Sequence, residues 1–148
     1  LLVIVGDGPN RANIVAMVEQ HQLTQQVMFV GQQSDVIPWL QALDVFVLPS
    51  YANEGVPHSL MQAMACGIPV ISTPVGSIDE LVEHQKTGLL VAPHSADAIV
   101  NALNVLMTQR ESTSALVECA AQHVQNRFSA YNMALRMQSI FKQCSASI

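Results

Sequence analysis

The chain of 148 residues is 50% hydrophobic and only 11% charged, which excludes a disordered or fibrous segment and suits a compact α/β body whose sheet faces are covered. Its net charge of -5 offers no basic footprint, so no nucleic-acid partner is expected. The longest apolar runs, Val45 to Leu48 and Leu89 to Ala92, fall far short of the ~20 residues of a bilayer-spanning helix, and a soluble single domain over 1–148 is expected.

In chain order, Leu1 to Val5 reads as a strand that ends in the turn Gly6-Asp7-Gly8-Pro9, after which Ala12 to Gln22 has helical spacing. Val27 to Val30 is a second strand closed by Gly31. Ser34 or Asp35 caps a short helix running to Leu43, and Asp44 to Pro49 is a third strand, rich in β-branched and aromatic residues. Pro57 is expected at the first helical position, where its missing N–H costs nothing, with Gly67 closing that helix about three turns later. Val70 to Thr73 is a fourth strand. Ser77-Ile78-Asp79-Glu80 matches the S-x-x-E capping box and starts a short helix ending near His84. Gly88 to Ala92 is a fifth strand, and Ser95 caps a helix to about Met107. Helical periodicity alone continues over 113–127 and 130–143, with the tail CSASI expected to fray. Strands alternating with helices in this way make βα units and a parallel sheet, which places ligands at the carboxyl ends of the strands.

Two turns at such ends hold candidate residues. GDGPNR fails the dinucleotide fingerprint, because Arg11 stands where G-x-G-x-x-G needs its third glycine and no acidic residue ends the second strand. Gly6 and Gly8 either bring backbone N–H groups toward an anion or only make the turn tight. The second turn, SYANEGVPHSL, delivers Glu54 and then the amides of Gly55 to Leu60 onto a helix start, where unpaired N–H groups and the helix dipole favour an anion. A carboxylate beside an anion site asks for hydroxyl partners, and a phosphate with hydroxyls attached describes a nucleotide sugar. The alternative is a surface Glu at an ordinary helix start.

Other reactive residue types lack a site pattern. His21, His84, His94 and His123 have no metal-ligand spacing, so no metal is expected, and His58 is either a ligand contact from the anion loop or a polar first-turn residue. Cys66, Cys119 and Cys144 contain no C-x-x-C, which fits a reducing compartment, and Cys66 reads as a small packing residue. No secretory signal is visible, and the opening LLVIV, without a methionine, reads as the start of a fragment. A phosphoacceptor receiver domain is disfavoured: the third strand ends in Leu48-Pro49-Ser50 rather than an Asp, and no Lys follows Ala92.

The ordered blocks IVGDGP, VMFVG, DVFVLPS, EGVPHSLMQAMACGIPVISTPVGS, Glu80 and TGLLVAP resemble the carboxy-terminal, donor-binding domain of the family-4 retaining glycosyltransferases of GT-B fold, from Leu1 to about Leu106. The resemblance implies a Rossmann-like parallel sheet sandwiched by helices, with extra carboxy-terminal helices, and a UDP- or GDP-sugar donor. It implies an acceptor, a glycan or lipid-linked saccharide, held by an amino-terminal domain absent here, together with the family's diphosphate-binding Arg and Lys. Glu54, as the first Glu of the family's E-x7-E motif, is the catalytic candidate expected to contact the donor sugar. Gly55, Val56, Pro57, His58, Ser59 and Leu60 form the loop expected to hold sugar hydroxyls and diphosphate oxygens, and Gly6, Gly8 and Gly31 are expected to flank the nucleotide. Gln62 departs from the motif, standing where the second, ribose-binding Glu belongs. A neutral acceptor there weakens donor binding and leaves a second reading open, a catalytically inactive binding or assembly subunit of the same fold. By kinship the expected setting is polysaccharide or lipid-linked glycan synthesis in the cytoplasm, with peripheral association at the inner face of the cell membrane. No cofactor or metal is expected, and this piece alone is expected to bind without catalysing.

Overall fold

The computed structural model describes residues 1–52 and 54–145, and divides into two compact units, Leu1–Val36 and Ile37–Ile148. The first unit contains β1 (Leu2–Val5), α1 (Arg11–Gln20) and β2 (Val27–Gly31). β1 and β2 pair in parallel, Leu2 opposite Val27 and Ile4 opposite Phe29, with an irregularity between Ile4 and Val5. The helix starts one residue before the expected Ala12 and stops two before Gln22, where Gln22 takes a left-handed φ of 56°.

The second unit contains α2 (Ile37–Gln41), β3 (Phe46–Leu48), α3 (His58–Ala65), β4 (Val70–Ser72), α4 (Ile78–Leu81), β5 (Leu89–Leu90), α5 (Ala96–Thr108), α6 (Arg110–Phe128) and α7 (Ala130–Ser145). Its three strands run parallel in the order β3-β4-β5, with Leu48 opposite Ser72 and Ile71 opposite Leu89. All are shorter than their apolar runs, because the flanking residues leave the ladder to shape the turns at the strand ends. Of the tail expected to fray, Cys144 and Ser145 belong to α7, and Ala146 to Ile148 lie outside the described residues.

Burial is concentrated in this unit. β4 is buried at every position, and α3 presents Leu60, Ala63 and Met64 inward, each fully covered. Ile71, Leu89, Ala102, Leu106 and Leu116 form one apolar cluster that joins the sheet to α5 and α6. Covering a Leu or Met side chain is worth about 1.5–3 kcal/mol, so this face anchors α3 firmly in the core, against α6 as well as β3 and β4. A second consequence is positional: with α3 fixed from its inner face, its amino-terminal turn is held still at the carboxyl end of β3.

Helix ends follow local rules in some places and not in others. Ser95 caps α5 as expected, its Oγ accepting from Ala98 N at 3.2 Å, and Gly67 closes α3 with a φ of +73°. Pro57 is not the first helical residue. With φ −70° and ψ 124° it is the extended N-cap, and the helix begins at His58. The capping box at Ser77 is not formed either. Ser77 has φ −103° and ψ 21°, outside the extended region a cap uses, its side chain makes no cap bond, and α4 ends at Leu81. The N–H that Glu80 would have to receive is donated elsewhere, to the carbonyl of Glu54 at 3.2 Å.

Candidate functional site

In the second unit, β3 and β4 end side by side, and the residues just beyond them are tied together. Ser72 Oγ donates to the Leu48 carbonyl at 2.8 Å, and the buried Thr73 donates its hydroxyl to the Ser50 carbonyl. Ser50 in turn donates its own hydroxyl to Glu54 Oε1 at 2.5 Å. The half-buried Glu54 is therefore held at one carboxylate oxygen, and among the described residues its other oxygen has no partner. Its main chain is held as well, through the Ser77 N–H and through Gly76, whose φ is +61°. A Cβ on Gly76 would lie 1.7 Å from the Glu54 carbonyl oxygen, so only glycine fits that contact.

The amides that follow Glu54 are open. Among the described residues, those of Gly55, Val56, His58, Ser59 and Leu60 donate to no protein acceptor; the first intrahelical donor is Met61 N, to the Pro57 carbonyl at 3.2 Å. Pro57 as N-cap has no side-chain oxygen to offer them, and α3 has no acidic residue in its first turn. The positive end of the helix is thus neither capped nor neutralised by the helix itself. Gly55, His58 and Ser59 are exposed, Val56 and Pro57 half-buried, and the Leu60 side chain points into the core, so Leu60 can serve a ligand only through its N–H. No atom lies within 4 Å of the Cβ position of Gly55, leaving its backbone accessible. Gln62, one turn into α3, is half-buried and its side-chain amide makes no hydrogen bond among the described residues.

In the first unit, the Gly6 N–H donates to the Gly31 carbonyl at 2.7 Å, joining the two strand ends. Gly6 has a φ of +117°, which explains the glycine without a ligand, whereas no positive φ or nearby atom demands glycine at Gly8. Asp7 braces this turn: Oδ1 pairs with Arg11 Nε at 3.1 Å and Oδ2 accepts from Gln32 N at 3.3 Å, beside Gly31. Arg11, the residue that breaks the dinucleotide fingerprint, also lies 5.6 Å from the centre of the Phe29 ring.

Three of the remaining histidines have partners of other kinds. His84 Nδ1 accepts from Leu90 N at 3.0 Å, the His94 ring lies 5.2 Å from that of Tyr51, and His123 Nδ1 is 3.4 Å from Glu83 Oε1. Among the described residues no group of three or more His, Cys, Asp or Glu is placed to hold a metal ion, and no helix is long and apolar enough to cross a membrane. Three residues of the Glu54 site, Ser50, Thr73 and Gly76, were not singled out from sequence. Their signal was position alone: each lies just past a strand, in the turns where a parallel sheet places its ligands.

An open row of amides beside an anchored carboxylate, at the carboxyl end of a parallel sheet, offers donors for an anion and an acceptor for hydroxyls. The chain belongs to the glycosyl transferases group 1 family, whose model matches residues 1–123. It is 36% identical over 133 residues to the putative colanic acid biosynthesis glycosyltransferase WcaL of Escherichia coli K12, covering 84% of this chain and 33% of that protein. Among solved structures, sucrose-phosphate synthase from Thermosynechococcus elongatus matches with a TM-score of 0.86 and 32% identity, over 99% of this chain and 39% of that one. Anabaena HepE, crystallised with UDP-glucose, matches with a TM-score of 0.88 and 24% identity, over 95% of this chain and 40% of that one, a likeness of fold. The chain spans about a third or less of the length of the curated relatives it matches, from 36% down to 15%. The fold is accordingly α/β with parallel sheets flanked by helices, as in the Rossmann-like carboxy-terminal half of GT-B glycosyltransferases.

Proposed function

We propose that this chain is the donor-binding part of a retaining glycosyltransferase of family 4, taking a UDP- or GDP-sugar. The observation that carries the reading is the set of amides at Gly55, Val56, His58, Ser59 and Leu60 that have no partner among the described residues, lying directly after a carboxylate with one oxygen free among them. The amides suit the diphosphate and the sugar hydroxyls that approach it. Glu54 suits a hydroxyl of the donor sugar, as an acceptor-only group. Gln62 then takes the ribose end. HepE, a neighbour in fold, has been crystallised with UDP and with UDP-glucose, which supports this class of ligand.

In the transfer, the bond from the anomeric carbon to the departing phosphate oxygen breaks with its electron pair on the diphosphate, while an acceptor hydroxyl oxygen bonds to that carbon on the face the diphosphate leaves, as retention requires, and gives up its proton to the departing diphosphate oxygen. Fixed N–H groups aimed at the leaving oxygens stabilise this growing charge without reorganising, which is the most effective form of electrostatic catalysis. The acceptor, the amino-terminal domain and any peripheral membrane contact belong to the rest of the protein; a glycan or lipid-linked acceptor fits relatives such as WcaL, named for colanic acid biosynthesis. Gln62 supports a second reading, an inactive binding or assembly subunit of the same fold.

The test is an NMR titration with UDP and GDP at millimolar concentration. The amide signals of Gly55, Val56, His58, Ser59 and Leu60 should shift together. Unchanged spectra with both nucleotides would remove the proposal.

A further inference from the structure

Glu54 is the one acidic group of the candidate site, and two contacts determine where it stands. Thr73, 2% exposed at the end of β4, donates to the Ser50 carbonyl and so fixes the main chain of Ser50 to the buried sheet. The Ser50 hydroxyl then donates to Glu54 Oε1, while Gly76 admits the Glu54 carbonyl into a space that any Cβ would fill. The carboxylate is thereby held through Ser50 and the main chain through the turn at Gly76 and Ser77. A hydroxyl has one proton, and here it is directed at Oε1. Oε1 is left with one lone pair, whereas Oε2, acceptor-only and without a protein donor among the described residues, is wholly open to a ligand.

We propose that Ser50 is a positioning residue for Glu54, its hydroxyl committing one carboxylate oxygen to the protein so that the other is presented to a hydroxyl of the transferred sugar. The inference rests on the donor-site reading above and deepens it. It separates two parts of the ligand: the open amides hold the diphosphate whether or not a sugar is attached, whereas the Ser50–Glu54 pair acts on the sugar alone. Removing the Ser50 hydroxyl frees the carboxylate to rotate and to form competing bonds with water, and leaves the amides in place.

The experiment measures affinities of the full-length protein carrying this chain for UDP and UDP-glucose, and for GDP and GDP-mannose, by calorimetry. The variants are Ser50→Ala, Ser50→Thr, Glu54→Ala and the double Ser50→Ala/Glu54→Ala. With the nucleotide pair that binds, Ser50→Ala should weaken the nucleotide sugar about five- to tenfold, the ordinary worth of one hydrogen bond, and leave the free nucleotide within about twofold. Ser50→Thr, which keeps the hydroxyl, should restore sugar binding. In the Glu54→Ala background the Ser50 change should have no further effect, since a residue that acts only through Glu54 has nothing left to act on. Equal losses for nucleotide and nucleotide sugar, no loss for either, or an additive loss in the double variant would overturn the positioning role while leaving the donor site standing. Failure of the unaltered protein to bind any of the four ligands would overturn the donor-site reading and this inference with it.

Discussion

Replacing Gly76 by Ala tests the main-chain half of the Glu54 anchorage. The added Cβ would sit 1.7 Å from the Glu54 carbonyl oxygen and 2.7 Å from its carbonyl carbon. Nonbonded carbon and oxygen atoms do not approach below about 3.3 Å, so the two segments must part by roughly 1.6 Å. A left-handed φ of +61° adds about 1–2 kcal/mol for alanine, and losing the bond from Ser77 N to the Glu54 carbonyl adds about 0.5–1.5 kcal/mol. Stability should therefore fall by about 1.5–3.5 kcal/mol, read as a lower urea midpoint. If the donor-site proposal holds, turnover of the full-length protein should fall further, because a misplacement of about 1 Å at a group contacting the transferred sugar can cost a hundredfold in rate. Gly76→Asn separates the two causes. Asn tolerates the left-handed region better than Ala but brings the same Cβ, so steric displacement predicts that it is as inactive as Gly76→Ala. An alanine variant with an unchanged urea midpoint and turnover within twofold, or an active asparagine variant, would refute the reasoning.

Three further outcomes follow from other contacts. Gly88→Ala would place a Cβ 2.6 Å from Val70 Cγ2 and 2.8 Å from Val82 Cγ1, in a buried layer with no room, and should destabilise by about 1–3 kcal/mol in urea unfolding. Gln62→Glu should tighten nucleotide binding by about fivefold, since a charged acceptor exceeds a neutral one by about 1 kcal/mol, and assayed in the full-length protein it should raise donor hydrolysis if the parent is an active enzyme. On the surface, the hydrogen bond to Lys86 holds the Glu83 carboxyl below its usual range, with the charges of Lys86, His123 and Arg127 adding to it, and the same bond raises Lys86. The Glu83 contribution to stability is thus present above the ordinary carboxylate pKa and lost as pH falls through the lowered one. That of Lys86 is complete below the ordinary lysine pKa and fades as pH rises through the raised one. Lys86→Met should return the Glu83 titration upward in carboxyl NMR; an unmoved titration would refute the pairing.

Much of this architecture was legible in the chain because its causes are local. Apolar runs of four to six residues, separated by amphipathic stretches, place five strands and the helices between them, since side-chain periodicity is a property of a few consecutive residues. Ser95 caps α5 and Gly67 closes α3 for the same reason: the groups they serve lie within a few positions. The candidate loop itself was visible, as Glu54 followed by glycine, proline and a helix start. Its chemistry follows from the termini of helices in general.

What local pattern could not give is how that loop is held. Ser77-Ile78-Asp79-Glu80 has the spacing of a capping box, yet the Ser77 N–H is donated to Glu54, 23 residues earlier, and the box does not form. A distant acceptor competes for the same proton, and packing decides which one receives it. The glycine at 76 is equally uninformative in sequence, where it reads as an ordinary turn; its necessity comes from a carbonyl brought against it by the fold. The strand ends show the same division. Sequence marks Ser50 and Thr73 as residues beyond two strands, but only the parallel pairing of β3 with β4 sets them in contact and carries that contact to the carboxylate. The chain by itself determined which groups are available, because covalent order and periodicity fix them. The tertiary structure decided which of them remain open to a ligand, because each hydrogen-bond donor and each pocket of space can be used only once.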